Sequence, residues 1–195
     1  MKKTSIITAL LAALLAVPAF AQNAATTVQR DVNQQQRIES GLQSGQLTTR
    51  EAARLEREES HVDRVEAKAL RDGSMSAAEK RNVTRLQNQA SRDIAAERHD
   101  ARTGNPDSAS SRRMQADVQR NVNQQQRVEN GIKYGSLTNH EAARMERGQA
   151  RVNRKEFRAG LDGHVGAFEQ ARVQRSENHQ SRRIFRQRHD RQTRG

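Results

Sequence analysis

QRDVNQQQRIESGLQSGQLTTREAARLER, residues 29–57, returns as QRNVNQQQRVENGIKYGSLTNHEAARMER, residues 119–147, ninety positions later and without a gap. The match continues past Asp72-Gly73 against Asp162-Gly163 and closes on Arg98-His99-Asp100 against Arg188-His189-Asp190. A unit copied whole reads as a tandem duplication. The two copies also form an internal comparison, since shared positions report scaffold and divergent ones report change.

In the first copy Val28, Val32, Ile38 and Leu42 fall near one face of a helix that ends around Gly41 to Gly45. Leu55, Val62, Val65 and Ala69 continue at three- and four-residue steps in a second helix, and Val83, Leu86, Ala90 and Ile94 in a third. Between them stand two versions of one corner, Gly45-Gln46-Leu47-Thr48-Thr49-Arg50-Glu51 and Gly73-Ser74-Met75-Ser76-Ala77-Ala78-Glu79. Gly ends a helix, an apolar residue acts as staple, Thr or Ser caps the next helix, and Glu three residues on closes a capping box. The sequence thus predicts an all-α fold, a tandem duplication of a three-helix unit with capped helix-turn-helix corners. Two separate bundles and one continuous array both satisfy the pattern.

Lys2 and Lys3, the apolar run Ile6 to Val17 and the small residues before Gln22 match a secretory signal peptide cleaved near Ala21. The expected destination is the periplasm or the medium. No other segment approaches the roughly 20 apolar residues of a membrane helix. With no Cys in the chain, neither a disulfide nor a lipid-bearing cysteine is available. The organisation expected is a signal peptide over 1–21, a helical repeat over 22–102, a linker over 103–117 built on Thr103-Gly104-Asn105-Pro106-Asp107-Ser108, and a second repeat over 118–195.

A mean hydropathy of -1.04, one Tyr, four Phe and no Trp approach compositions that stay unfolded, so the core is expected to be thin. Scarce Pro and abundant Ala, Arg, Gln and Glu favour helix nonetheless. Charge is divided unequally. Residues 22 to 102 hold 14 Lys+Arg against 13 Asp+Glu, while residues 103 to 195 hold 19 against 10, and Lys2 and Lys3 complete the total of +12. Asn82, Gln89 and Ala96 have become Arg172, His179 and Arg186, joining Arg175, Arg182 and His189 in one basic stripe at helical spacing. Ala67, Ala78 and Ala95 became Phe157, Phe168 and Phe185, as Leu86 and Ala90 became Ser176 and Gln180. The stripe reads either as a solvated face with aromatics refilling a shifted core or as a face for anionic partners, and the planar Arg fork suits carboxylate and phosphate. On the second reading, isolated residues 103–195 would bind an anionic matrix far more tightly than residues 22–102, the two fragments sharing one fold.

Catalytic chemistry finds little support. No Ser/His/Asp order, phosphate loop or zincin sequence is present, so a non-enzymatic protein without a cofactor is expected. Asp72-Gly73 with Glu79 matches the second half of a calcium loop, but Lys68 and Leu70 stand where the first ligands belong. His99, Asp100, His189 and Asp190 are the remaining metal candidates, and they read equally as polar helix ends.

Leu47-Thr48-Thr49-Arg50-Glu51 and Leu137-Thr138-Asn139-His140-Glu141 resemble the LTxxQ signature of small helical periplasmic stress chaperones of the Spy and CpxP type, with Glu51 and Glu141 in place of Gln. The longer pattern NQQQRIESGLQSGQLTTREAARLE, with its later DG and RHD, is similar to exported proteobacterial helical repeat proteins of unknown function. The first resemblance implies a chaperone-like binding protein; the second implies no activity. The leading expectation is a periplasmic, stress-related protein engaging acidic or partly unfolded proteins, or anionic envelope components such as lipopolysaccharide, through Arg172, Arg175, His179, Arg182, Arg186 and His189. It would be a monomer or a weak homodimer. The alternative is a metal-binding or metal-stress protein using His99-Asp100, His189-Asp190 and the Asp72 and Asp162 corners.

Overall fold

Runs of strong helix formers broken by glycine corners give six helices, in a computed structural model that describes residues 19–190 and 192. They are α1 (Ala19–Gln43), α2 (Thr49–Ala69), α3 (Ala77–Arg98), α4 (Ala109–Lys133), α5 (Asn139–Gly160) and α6 (Ala167–Arg188). The fold is all-α, with no strand among the described residues. The expected signal segment 1–21 lies outside the described residues except for Ala19–Ala21, the first residues of α1. The linker is shorter than 103–117, because Ser108 caps a helix by accepting the Ser111 amide and residues 109–117 are the first turns of α4.

The corners follow the chemistry of their residues. Thr48, Ser76 and Thr138 each accept an amide from the Glu three residues on, and Glu51, Glu79 and Glu141 return the bond to the cap backbone. At the fourth corner Gly166 has no side chain to offer, so only the Glu169 half of the box remains. Gly45 and Gly73 adopt φ 74 and φ 89, left-handed values that strain any residue with a Cβ. Gly45→Val and Gly73→Val should therefore each lower stability by about 1 kcal/mol or more, read as an earlier midpoint in urea melts. Unchanged midpoints would show that these glycines are not caps.

The two copies do not stand apart. α2 runs antiparallel along α5 and α1 along α4, and these are the broadest helix interfaces. Arg50 at the start of α2 donates to the Asp162 carbonyl beyond α5 at 2.6 Å, Asn139 at the start of α5 donates to the Gly73 carbonyl beyond α2 at 2.7 Å, and Ser60 meets the Ala150 carbonyl between them at 2.8 Å. α3 covers α1 and α2, and α6 covers α4 and α5.

This interleaving produces two apolar clusters, each drawn from both copies. One joins Val28, Leu70 and Val83 to Val128, Ile132, Leu137 and Ile184. The other joins Ile38, Leu42, Leu47, Leu55 and Ile94 to Met114, Val118, Val165 and Val173. Leu47 and Leu137 are the corner staples, seated on Gly41 and Gly131, where a Cβ would come within 2.7 and 2.5 Å of them. A fully buried leucine contributes about 1.5–3 kcal/mol, so a short apolar roster still holds the bundle together.

A polar layer crosses the middle of the molecule and includes Asp31, Gln35, Glu56, Glu59, Asp63, Glu66, Gln87, Asn121, Gln125, Glu146, Gln149, Asn153 and Glu156, all buried. It corrects the expected third seam. Leu86 is only partly buried and Gln87 takes the inward position, where its amide bridges Asp31 and Glu66. Of the two readings of the stripe, the one in which aromatics refill a shifted core does not hold for Phe168 and Phe185, which are 90% and 56% exposed. Gln180 instead fills the space opened by Gly148 and donates to the Met145 carbonyl at 2.8 Å.

Candidate functional site

α6 rides on α5 with its basic side outward. Arg172, Arg175, His179, Arg182 and Arg186 are all exposed along α6, and His189 is exposed at its C-cap. The structure thus brings the six stripe residues onto one helical edge. It also adds a second row that the sequence reading passed over: Arg144, Arg147, Arg151, Lys155 and Arg158 are exposed on α5. Arg151 and Lys155 share a groove of about 430 Å³ with Arg172, Arg175, Ser176 and His179. On the other side of the ridge, a second groove is lined by Arg127, His179, Ser181, Arg182, Phe185 and Arg186.

The electrostatics are those of cations without counter-charges. Among the described residues, none of the basic side chains on these two helices makes an ion pair; the nearest pair is Arg120 with Glu177, at 3.2 Å. Arg183 lies beneath the stripe and is held below the ordinary arginine value, first by burial and then by Arg151, Arg186, Arg144 and Arg147. Clustered guanidinium groups repel one another, and that repulsion is relieved when an anion settles among them.

The corresponding groove of the first copy shows what changed. It is lined by Arg57, Glu58, His61, Val62, Arg64, Leu86, Gln89, Ala90 and Asp93. There Glu58 is pushed up to about 7, mainly by burial and next by the Asp93 carboxylate beside it. Ninety positions on, Glu58 and Asp93 are Gly148 and Arg183, His61 is Arg151 and Val65 is Lys155. Two acids are lost and three cations gained on the same framework. The signal was present in the sequence as the three- and four-residue spacing of basic residues from Arg144 to Arg158; the adjacency of α5 and α6 was not.

The metal candidates from the sequence resolve into helix ends. His99 and His189 are C-cap residues whose Nδ1 atoms lie 2.7 Å from the Ala95 and Phe185 carbonyls, and the His189 ring stacks on Phe185 at 4.2 Å. Asp100 gathers with Glu51 and Glu97, but the Arg102 guanidinium already pairs with all three at 2.5–3.0 Å. Asp190 accepts the Gln187 side chain and the Gln192 amide. Asp72 and Asp162 accept the amides of Ser74 and His164 in the corner turns. The four carboxylates that do converge without a cation are Asp31, Asp63, Glu66 and Glu146, none of which the sequence reading selected.

Fold and surface together define an all-α helical bundle with a strongly basic α5–α6 face. Comparison with family models, with curated proteins and with solved structures finds no match to this chain.

Proposed function

We propose that this is a non-enzymatic, exported binding protein that engages phosphate- or sulfate-bearing polyanions, such as lipopolysaccharide at the envelope, through the α5–α6 face. The observation that carries the reading is the two arginine grooves that flank the α6 ridge, free of ion pairs among the described residues; in the first copy the groove between the equivalent helices is mixed, and a separate basic groove there draws its cations, Lys80, Arg81, Arg85 and Arg92, from α3 alone. Arg forks suit such ligands, because two parallel N–H groups meet two anionic oxygens. No described helix is long and apolar enough to cross a membrane, so contact with an anionic surface would be peripheral.

A second reading, capture of acidic or partly unfolded proteins, is favoured by Phe168 and Phe185, which lie exposed on the same helix. Salt separates the two. Polyanion binding falls steeply with ionic strength, whereas apolar capture persists.

The test uses residues 22–195 on immobilised heparin and on lipopolysaccharide vesicles. A basic residue near an anionic surface contributes about 1 kcal/mol, so Arg172→Gln, Arg182→Gln and Arg186→Gln together should weaken binding about a hundredfold at low salt. Helicity should persist, since Gln is nearly as good a helix former as Arg. A first-copy triple, Arg81→Gln, Arg85→Gln and Arg92→Gln, which strips the basic groove confined to α3, should weaken binding far less. Equal retention of both triples and the parent chain would leave the stripe as an ordinary solvated face.

A further inference from the structure

The polar layer is lopsided. Of its buried oxygens, Asp31 Oδ2, Glu66 Oε2, Glu146 Oε1, both carboxylate oxygens of Glu59 and the Gln125 Oε1 have no hydrogen-bond partner on one side, against Gln35 Oε1, Glu56 Oε1 and Glu156 Oε1 on the other. Among the described residues, the buried side-chain atoms left in this state are acceptors with the exception of Arg188 Nε. An interior that lacks donors in this way is short of positive charge.

The shortage has a focus. Asp31 from α1, Asp63 and Glu66 from α2, and Glu146 from α5 each direct one oxygen to a common point, those atoms lying within 4.8 Å of one another. A second tier of amides fixes their orientation. Gln87 Nε2 donates to Asp31 at 2.7 Å and to Glu66 at 3.0 Å, Gln125 Nε2 to Asp63 at 3.2 Å and to Glu146 at 3.1 Å, and Asn153 Nδ2 to Asp63 at 3.0 Å. Each amide leaves the acid's other lone pairs directed elsewhere, as outer-tier groups do around metal ligands. Glu59 stands beside the cluster, 1% exposed and wholly unpartnered, and its charge bears on Asp63.

The second copy supplies a control inside the same molecule. The counterparts of Asp31, Asp63, Glu66 and Glu146 are Asn121, Asn153, Glu156 and Glu56, and that of Glu59 is Gln149. Where the amides stand they supply donors to one another and to an acid: Asn121 Nδ2 donates to Glu156 at 2.7 Å, and Gln149 Nε2 donates to Asn121 at 2.8 Å and Asn153 at 3.0 Å, while one oxygen each of Glu56 and Glu156 stays unpartnered. At three of these five positions an amide replaces the acid, so one half of the layer holds five acids and the other holds two, Glu56 and Glu156.

We propose that Asp31, Asp63, Glu66 and Glu146 form a binding site for one hard divalent cation, of the calcium or manganese class, buried between the two copies. All the donors are carboxylate oxygens, without nitrogen or sulfur, which selects hard ions. Metal–oxygen bonds of about 2.3–2.6 Å place opposite ligands just under about 5 Å apart, and the cluster spans no more than this. One divalent ion balances two carboxylates and the other acids keep their protons, so binding releases protons. Asp31 is pushed up to about 6 and Glu146 to about 8, in both cases chiefly by burial, while Asp63 is raised by burial and then by Glu146 and Asp31, and Glu66 by burial and then by Asp31 and Glu146. The groups facing the site from the surrounding helices are Glu56 and Glu59 of α2, Gln87 of α3, Gln125 of α4 and Asn153 of α5, with the Arg30 charge acting on Asp31.

The experiment is calorimetric titration of chelator-treated residues 22–195 with calcium chloride or manganese chloride at pH 8, with thermal melts alongside. One ion per chain is expected, and a hundredfold excess over Kd should raise the midpoint by roughly 5–10 °C. Asp63→Asn, which copies the chain's own Asn153, should keep its helicity and weaken binding tenfold or more, as should Asp31→Asn. Glu156→Gln, in the amide-rich half, should bind as the parent does. Absence of binding at pH 8 would mean that protons alone neutralise the cluster. Binding that survives in Asp63→Asn and Asp31→Asn, or that is lost equally in Glu156→Gln, would equally overturn the site.

Discussion

With a chelator present, the protein should be most stable near pH 5 and should lose stability steadily toward pH 8, the reverse of the usual behaviour of a protein whose acids are paired. Burial pushes Asp31 up to about 6, Glu56 and Asp117 to about 7, and Glu146 and Glu177 to about 8. In the unfolded chain such groups titrate near about 4. Between those limits the folded state holds more protons than the unfolded state, so stability falls as pH rises through this window and levels off above the folded values. Each excess proton costs about 1.4 kcal/mol per pH unit, and two such groups over two units remove roughly 5 kcal/mol, comparable to the whole stability of many domains. Urea melts at pH 5, 6.5 and 8 and constant ionic strength measure it. A flat or rising profile would show that the acids find water or counter-ions in solution.

Separating the copies should cost most of the helix. Each apolar cluster takes members from both repeats, so residues 22–108 and 109–195 alone each expose the faces that α1 shares with α4 and α2 with α5. Helices with such thin seams are marginal without a partner. Each fragment should therefore give weak ellipticity, and an equimolar mixture should recover the spectrum of the intact chain. Pairing of unlike copies is favoured because Asp31, Glu56, Glu59, Asp63 and Glu66 of the first face Asn121, Glu146, Gln149, Asn153 and Glu156 of the second. A self-pair of the first copy would bury more acid. Full helicity in either fragment alone at micromolar concentration would contradict the interleaved core. The expectation of two separable fragments sharing one fold falls with this packing, and the anion-binding test accordingly keeps the chain whole.

Much of the fold was legible because its determinants are local. Gly45, Leu47, Thr48 and Glu51 act within a few residues of one another, so the corner could be read without knowing what packs on it, and its ninety-residue counterpart repeats the reading. Ser108, Ser110 and Ser111 have the composition of a loop, yet Ser108 is a cap and the other two open α4, which is why the linker is shorter than its composition suggests. Hydrophobicity alone points Leu86 inward, yet it is only partly buried. The position belonged to Gln87, whose amide has carboxylate partners contributed by α1 and α2. Composition alone leaves Phe168 and Phe185 open to either core or surface; Gln180 against Gly148 fills the space between α5 and α6, and the two rings stay outside.

The candidate sites divide in the same way. The basic stripe on α6 needed only charge and helical spacing, and the sequence determined it along with the helices, the corners and the charge asymmetry between copies. Which helix lies beside it, and therefore that Arg151 and Lys155 join Arg172 and Arg175 in one groove, was decided by tertiary packing. The acids of α2 were equally visible, with Glu56, Glu59, Asp63 and Glu66 at three- and four-residue steps. On an isolated helix that row would be a solvated face, since carboxylates prefer water. Here the antiparallel approach of α5 turns it inward, against Glu146, Gln149 and Asn153. A row of charges carries no mark of which side will meet water; that depends on the partner surface, and the partner lies ninety residues away along the chain.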